Sequence, residues 1–505
     1  MYKVACPACG AEVQFRSAMS VMAVCEYCQS TLMRDAESVK DMGKMSAVIE
    51  DFSPIQINTT GIYQGKAFGV VGRIQLRYDA GFWNEWYVLF DDGSPGWLSD
   101  ASGKYVMTLP LAAPAKMPAF DQIKPGNTIT LDKASFTACD VRTAQCTGGQ
   151  GELPFRVGEG WQARVADFRT KDRFVTLDFS DDSTPAAYLG NVVTLDSLQC
   201  QLLRTEDQIT QRAGKLSGKM MTLECPSCGS PLKYRAGAAM QVTCPACHAD
   251  VDCTGDKAIV LQKHSELAQI TPSIALGSIA TIDGIRWNAI GFMRCRETRD
   301  PTEWTEYLFF HPLKGFMWLV ETDDGWDKVE VLDTWPDQFS ASAARLGQIS
   351  YIKYVEYGSE VIYAAGAFNW RVSVGDKTWI TDYRQNGQKL TQERSSNEIS
   401  WSRSESVSAE QIASWLGKPH KQIPSKAIDR DDDDEVSPLK GTAKALTWML
   451  LILNIPILFG SGFAGVMIIL SGLLALWWPI LKNKDDGDGD YGSGGDGDGG
   501  GGGGD

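Results

Sequence analysis

Eight of the thirteen cysteines fall into two copies of one frame: CPACGAEVQFRSAMSVMAVCEYC from Cys6 to Cys28, and CPSCGSPLKYRAGAAMQVTCPAC from Cys225 to Cys247. Each reads C-x2-C-x15-C-x2-C, a spacing that suits structural zinc. Two tight knuckles of this kind bring four thiolates to the corners of a tetrahedron about 2.3 Å from Zn(II) and leave no position for water or substrate. The chemistry expected is therefore structural: two Zn(II) sites, one held by Cys6, Cys9, Cys25 and Cys28, the other by Cys225, Cys228, Cys244 and Cys247. In the second copy, Cys244 to His248 also spells the C-x-x-C-H pattern of haem attachment. The first copy has Gln29 in place of His248 yet keeps all four cysteines, so zinc accounts for both copies and haem for half of one.

The other residues able to do chemistry assemble into nothing comparable. The four histidines, His248, His264, His311 and His420, have no matching places in the two copies, and no Ser/His/Asp or Cys/His set can be formed. No catalytic residue is assigned, and a binding role is favoured over an enzymatic one. Gly65, Gly69 and Gly72 have no helix pattern after them to complete a phosphate cradle, and they read as hairpin turns. Asp486, Asp488 and Asp490 have EF-hand-like spacing, but Tyr491 and Gly497 occupy the places of the required Gly and Glu. Cys139, Cys146, Cys200, Cys253 and Cys295 make no pattern, as expected of reduced thiols in a cytosol-facing protein, and MYKVACPACG lacks the apolar core of a signal peptide.

The frames open two copies of a longer unit. Gly65 and Gly72 of GKAFGVVG recur as Gly284 and Gly291 of GIRWNAIG; Trp83, Glu85 and Trp86 recur as Trp304, Glu306 and Tyr307; Trp97-Leu98 recurs as Trp318-Leu319. Phe155-Arg156-Val157 and Asp167-Phe168 return as Trp370-Arg371-Val372 and Asp382-Tyr383. Segments such as FGVVGRIQLRY, EWYVLF and RFVTLDF, separated by turn signals such as Asp91 to Gly93, predict strands. Trp83, Glu85 and Tyr87 alternate with Asn84, Trp86 and Val88, the pattern of a strand buried partly on both faces, with Glu85 a solvated or hydrogen-bonded strand glutamate. A pocket around Trp83, Glu85 and Glu152 is the alternative. Ser408 with Gln411 predicts a capped helix that ends at Gly417 and Pro419.

The net charge of -15 is concentrated in DRDDDDE from Asp429 to Glu435 and in the Gly/Asp tail. The few basic residues at the frames (Lys3, Arg16 and Arg34; Lys233 and Arg235) make nucleic acid the least favoured partner. From Ala443 to Leu481 the chain carries one charge, Lys444. As one helix the apolar part would measure about 54 Å against a hydrocarbon core of about 30 Å. A break at Gly460-Ser461-Gly462 makes two segments of crossing length, so a helical hairpin is predicted. Lys440 and Lys444 before it, with Lys482 and Lys484 after it, place both ends in the cytosol.

The module with G-x6-G, W-x-E-W/Y, W-L and the ELPFRV-type segment resembles the bacterial domain-of-unknown-function family numbered 4178. In the second copy Ala367-Phe368-Asn369 replaces Glu152-Leu153-Pro154. The resemblance implies zinc ribbons ahead of each module, hydrophobic segments after them, and a setting beside phage-shock-protein-A-like membrane-stress proteins, small membrane proteins and polyamine-synthesis enzymes, but no activity. The expected architecture is mainly β: ribbon 1 (1–35), β-rich module 1 (45–205), ribbon 2 (222–254), β-rich module 2 (264–405), short helix and acidic linker (406–442), transmembrane hairpin (443–481) and disordered Gly/Asp tail (482–505). The expected role is a zinc-binding scaffold at the bacterial inner membrane, with its N-terminal domains and tail in the cytosol. A small-molecule sensor or enzyme is the alternative, and a ribbon that reads nucleic acid comes third.

Overall fold

The computed structural model describes residues between 2 and 423, except for short stretches of which the longest are 45–50, 113–116, 156–160, 213–219, 236–240, 253–258 and 264–269. The transmembrane hairpin, acidic linker and Gly/Asp tail read from the sequence lie outside the described residues, as do Cys253, His248, His264 and His420. No helix among the described residues is long and apolar enough to cross a membrane.

The chain is mainly β. The first ribbon contributes β1 (Tyr2–Ala5), β2 (Glu12–Phe15), β3 (Met22–Val24), β4 (Ser30–Asp35) and β5 (Ser38–Lys44). The first module follows with β6 (Thr60–Tyr63), β7 (Lys66–Tyr78), β8 (Gly81–Phe90), β9 (Pro95–Ala101), β10 (Lys104–Leu111), β11 (Thr128–Leu131), β12 (Ala134–Leu153), β13 (Gln162–Thr170), β14 (Arg173–Asp178) and β15 (Ala186–Val193), then helix α1 (Glu206–Arg212). The second ribbon has β16 (Met220–Glu224), β17 (Pro231–Arg235), β18 (Gln241–Thr243), β19 (Ala249–Asp252) and β20 (Ile259–Lys263). The second module has β21 (Ile279–Ile282), β22 (Ile285–Glu297), β23 (Glu303–His311), β24 (Gly315–Thr322), β25 (Gly325–Val331), β26 (Gln338–Phe339), β27 (Ala343–Leu346), β28 (Ile349–Phe368), β29 (Lys377–Gln385), β30 (Gln388–Arg394) and β31 (Ile399–Val407), closed by α2 (Ala409–Leu416).

Each module is an antiparallel barrel. Strands run β12-β13-β14-β15-β10-β9-β8-β7, and β7 pairs back onto β12, closing a ring of eight. The second ring is β28-β29-β30-β31-β25-β24-β23-β22 with the same closure. The two longest strands make this possible, because β12 serves β13 over Thr137–Gln145 and then β7 over Cys146–Gly151. At the seam, glycine answers glycine. An added Cβ on Gly72 would lie 1.7 Å from the Glu152 carbonyl oxygen, so β7 and β12 can approach only without a side chain there. Gly65 (φ 80°) is the hairpin turn expected of it, whereas Gly69 and Gly72 lie inside β7, a correction to the reading of all three as turns.

The outer faces of the first barrel are apolar and covered. Trp86, Val88, Leu98 and Met107 pack beneath the segment bearing Ile55 and Leu198, while Phe136, Phe168, Val175 and Leu177 pack beneath Ile123 and Leu131. Helix α2 begins at Ser408, whose hydroxyl accepts from the Gln411 N–H at 3.2 Å, and ends at Gly417 (φ 61°). Its Ile412 and Ala413 join the core of the second barrel. Helix α1 carries a reciprocal cap that the sequence reading passed over: Thr205 N–H donates to Gln208 Oε1 at 2.9 Å, and Gln208 N–H to Thr205 Oγ1 at 3.3 Å.

The barrels pack against each other within one compact unit, Met1–Ala427. Cys139 of β12 enters a cluster of Trp335, Tyr351, Tyr383, Leu390 and Trp401 from the second module. Around it run Arg142 to Glu398 (3.1 Å), Lys171 to Asp337 (2.7 Å) and Lys104 to Asp333 (2.8 Å), with Val141 N–H donating to the Asn397 carbonyl at 3.0 Å.

Candidate metal centres

In each ribbon, hairpins carry the knuckles. The first loop of each copy turns through a glycine at positive φ, Gly10 (76°) and Gly229 (74°), whose N–H donates to the carbonyl of Cys6 or Cys225 at 2.8 Å. In the first copy Cys6 and Cys28 sulfurs stand 3.6 Å apart, and Cys9 and Cys25 3.7 Å; in the second, Cys225 and Cys247 stand 3.7 Å apart, and Cys228 and Cys244 3.8 Å. All sulfurs of a quartet lie within 4.8 Å of one another. A tetrahedron with 2.3 Å metal–sulfur bonds has edges of about 3.8 Å, whereas a disulfide needs about 2.05 Å. The quartets can thus hold two zinc ions. Cys6, Cys25, Cys225 and Cys244 are buried while Cys9 and Cys228 are exposed, so each quartet lies at the ribbon surface.

The ribbons are not beads on a string. β3 pairs with the end of β12 (Met22 with Leu153, Val24 with Gly151), and β18 pairs with β28 (Gln241 with Phe368, Thr243 with Gly366). Glu152, grouped with Trp83 and Glu85 in the pocket alternative, serves this junction instead. Its carboxylate accepts from Arg16 N–H at 2.7 Å and from Ser20 Oγ at 3.0 Å, 3% exposed. In the second copy Gln241 takes over, donating to the Val372 carbonyl at 2.6 Å and accepting from its N–H at 3.1 Å.

Trp83 and Glu85 do come together, inside the barrel. Glu85 accepts from Trp83 Nε1 at 2.8 Å and from Ser99 Oγ at 2.7 Å, and Asp167 accepts from Thr176 Oγ1 at 2.7 Å. Asp178 stands one strand further round, on the same face as Thr176, and its charge reaches Glu85. Trp86 on β8 and Val175 and Leu177 on β14 pack on the covered outer face, so Glu85, Thr176 and Asp178, which alternate with them, line the lumen. Burial pushes the carboxyls of Glu85 and Asp167 up to about 7 against the hydrogen bonds they accept, and burial raises Asp178 as well.

The second barrel repeats the set. Glu306 accepts from Trp304 Nε1 at 2.7 Å, Asp382 accepts from Thr391 Oγ1 at 2.6 Å, and Glu393 stands where Asp178 does. Burial raises Glu306; burial first, then the charges of Glu306, Glu398 and Asp382, push Glu393 up to about 8. Glu393 is nonetheless exposed by surface area, so water at the barrel mouth screens part of that shift. The sequence had shown Glu85 with Glu306 and Asp167 with Asp382; Thr176 with Thr391 and Asp178 with Glu393 continue the second match at an unchanged offset.

The barrels differ on the outer face of the seam. In the first, Arg73 (2% exposed) pairs with Asp51 at 2.8 Å, donates to Asn84 Oδ1, and lies 4.7 Å over the Trp86 ring. Asp51 also meets Arg204 at 3.4 Å. In the second, Phe292 holds the place of Arg73 and stacks on Tyr363, beside Tyr307.

Fold and site define a class: a tandem antiparallel-barrel protein in which each barrel carries a four-cysteine ribbon annealed to its long strand. A family model described as Domain of unknown function (DUF4178) matches residues 56–195 and 275–409, more than half of the chain, and the protein belongs to that family. The two matches coincide with the two barrels and leave both ribbons outside. No curated protein and no solved structure matches this chain.

Proposed function

We propose that the protein is a membrane-anchored scaffold: two zinc-stapled barrels, tethered by the 443–481 hairpin to the bacterial inner membrane, that dock a protein partner on the cytosolic side. The zinc ions are structural, since four thiolates complete each shell. The observation that supports docking is the exposed apolar character of the first half of β28 in the second barrel. Along the first half of β28, Ile349, Ile352, Tyr354 and Val355 are exposed, Ile352 by 66% and Tyr354 by 58%, and Trp379 stands close by on β29. Large apolar side chains left uncovered along one strand segment are a surface for a partner to cover. Membrane-stress proteins are the partner class that the family setting suggests.

The test is affinity purification of the full chain from its native membrane in mild detergent, against a variant with Ile352→Glu and Tyr354→Glu. A stoichiometric partner lost from the variant supports the scaffold. A partner retained by the variant, or none in either sample, sinks it. A reporter fused after Asp505 that is active only outside the cytosol would replace the hairpin with a single span.

A further inference from the structure

The long strands β12 and β28 are equal in length and match position by position, and each carries its bulge at the same place: the pairing of β12 with β13 slips at Cys139, and that of β28 with β29 at Tyr354. What lies over the two bulges differs. In the first barrel the bulge is covered by the second barrel. Cys139 is 5% exposed and packs with Trp335, Tyr383 and Trp401, Val141 N–H donates to the Asn397 carbonyl at 3.0 Å, and Arg169 lies 5.3 Å over the Trp335 ring. In the second barrel Tyr354 is 58% exposed. Ile352, Lys353, Val355, Glu356 and Arg384 are likewise each more exposed than their counterparts Thr137, Ala138, Asp140, Val141 and Arg169. The same face of the same kind of barrel is therefore seated in one copy and bare in the other, and the seated copy displays what fits it: the end of another barrel of this kind.

Granted that β28 is a docking face, as the proposed function requires, we propose that its occupant is a second copy of this chain, which brings its first barrel to β28 as the second barrel is brought to β12 here. The charges run the right way. Across the seam within the chain, the cations belong to the barrel of β12 and the acids to its neighbour: Arg142 with Glu398, Lys171 with Asp337, and Lys104 with Asp333. Those acids lie in the turn between β30 and β31 and in the segment leading from β25 to β26. The matching places of the first barrel, after β14 and between β10 and β11, carry Asp181 and Asp121, both exposed. The bare face of β28 offers Arg384, exposed and 3.7 Å over the Tyr354 ring. Charge of this kind sets the register, while the apolar side chains of Ile352 and Tyr354 supply the area to be covered. Because the docking face is on the second barrel and the receiving face on the first, the contact is head-to-tail, and it repeats from chain to chain until a ring closes or a filament grows.

Light scattering of the full-length protein in detergent, after size exclusion at rising concentrations, tests this with two variants. Ile352→Glu with Tyr354→Glu spoils the docking face, and Asp121→Arg with Asp181→Arg spoils the receiving face. The protein mass of the wild type is expected to grow with concentration beyond the dimer. Each variant alone should stay monomeric, and an equimolar mixture of the two should give a dimer and nothing larger, because one intact face of each kind remains. Should the first variant misfold by circular dichroism, Arg384→Glu takes its place. A wild type that is monomeric throughout, a second variant that self-associates like the wild type, or a mixture that stays monomeric would overturn the inference. A foreign protein captured through β28 by a wild type that is itself monomeric would overturn it too, while leaving the docking role of β28 in place.

Discussion

Replacing Glu85 by glutamine should flatten the pH dependence of stability. In the folded barrel this carboxyl rises from its ordinary 4.5 to about 7 because the strands around it exclude water, and the hydrogen bonds from Trp83 and Ser99 recover part of the loss. The folded state therefore holds a proton that the unfolded chain releases, and stability falls with rising pH wherever that holds. The favourable contribution is complete below about pH 4.5, declines as pH rises towards 7, and is gone above it. Some 2.5 pH units at 1.36 kcal/mol each come to about 3 kcal/mol, reduced to about 2 kcal/mol because the side chain is only half-buried by area. The amide in the Glu85→Gln variant can still accept from Trp83 and never ionises. Urea unfolding of the full-length protein, followed by tryptophan fluorescence at pH 5.0 and 8.5, should show the wild type losing about 1.5 kcal/mol more than the variant over that interval. Parallel losses in the two proteins would refute the lumen assignment of Glu85, since a carboxylate open to water would show no such difference.

Other substitutions probe the rest of the framework. Asp51→Ala removes the carboxylate shared by two buried guanidinium groups, Arg73 and Arg204, and should cost about 3–5 kcal/mol in the same unfolding assay. Gly72→Ala drives a methyl into the Glu152 carbonyl and should cost about 1–3 kcal/mol or more, whereas Gly69→Ala, with nothing within 4 Å of the added carbon, should be tolerated. Metal analysis of the purified protein should find two zinc ions per chain, falling to one in Cys25→Ser; an unchanged count would remove that cysteine from the ligand set.

What was legible in the sequence was what neighbouring residues decide. The cysteine frames, the α2 cap at Ser408 and the alternation from Trp83 to Val88 are local patterns, and the structure keeps each of them. What was not legible depends on contacts distant in sequence. Nothing around Gly72 announces Gly151 as its partner, and their pairing is what turns a sheet into a barrel. Glu152 looked like a pocket acid because it is a charged residue in a repeated segment, but its partners, Arg16 and Ser20, lie far back in the ribbon. The lumen acids were half visible. Asp167 matches Asp382 in the repeat, and the same offset relates Thr176 to Thr391 and Asp178 to Glu393. The Arg73 network left no repeat to find, because the second copy has Phe292 there.

The annealing of β3 to β12 also bears on how these barrels stay apart from one another. β13 covers one side of β12 only as far as Gln145, and β3 covers that side again from Gly151 to Leu153; β18 does the same for β28 at Gly366 to Phe368. Without them each barrel would present a short open strand edge, the surface on which a neighbouring chain can add a strand of its own. The cysteine quartets hold those edge guards in shape. Loss of metal from zinc-loaded quartets would thus uncover sticky edges on a barrel that is otherwise still closed, and neighbouring chains would meet through them first.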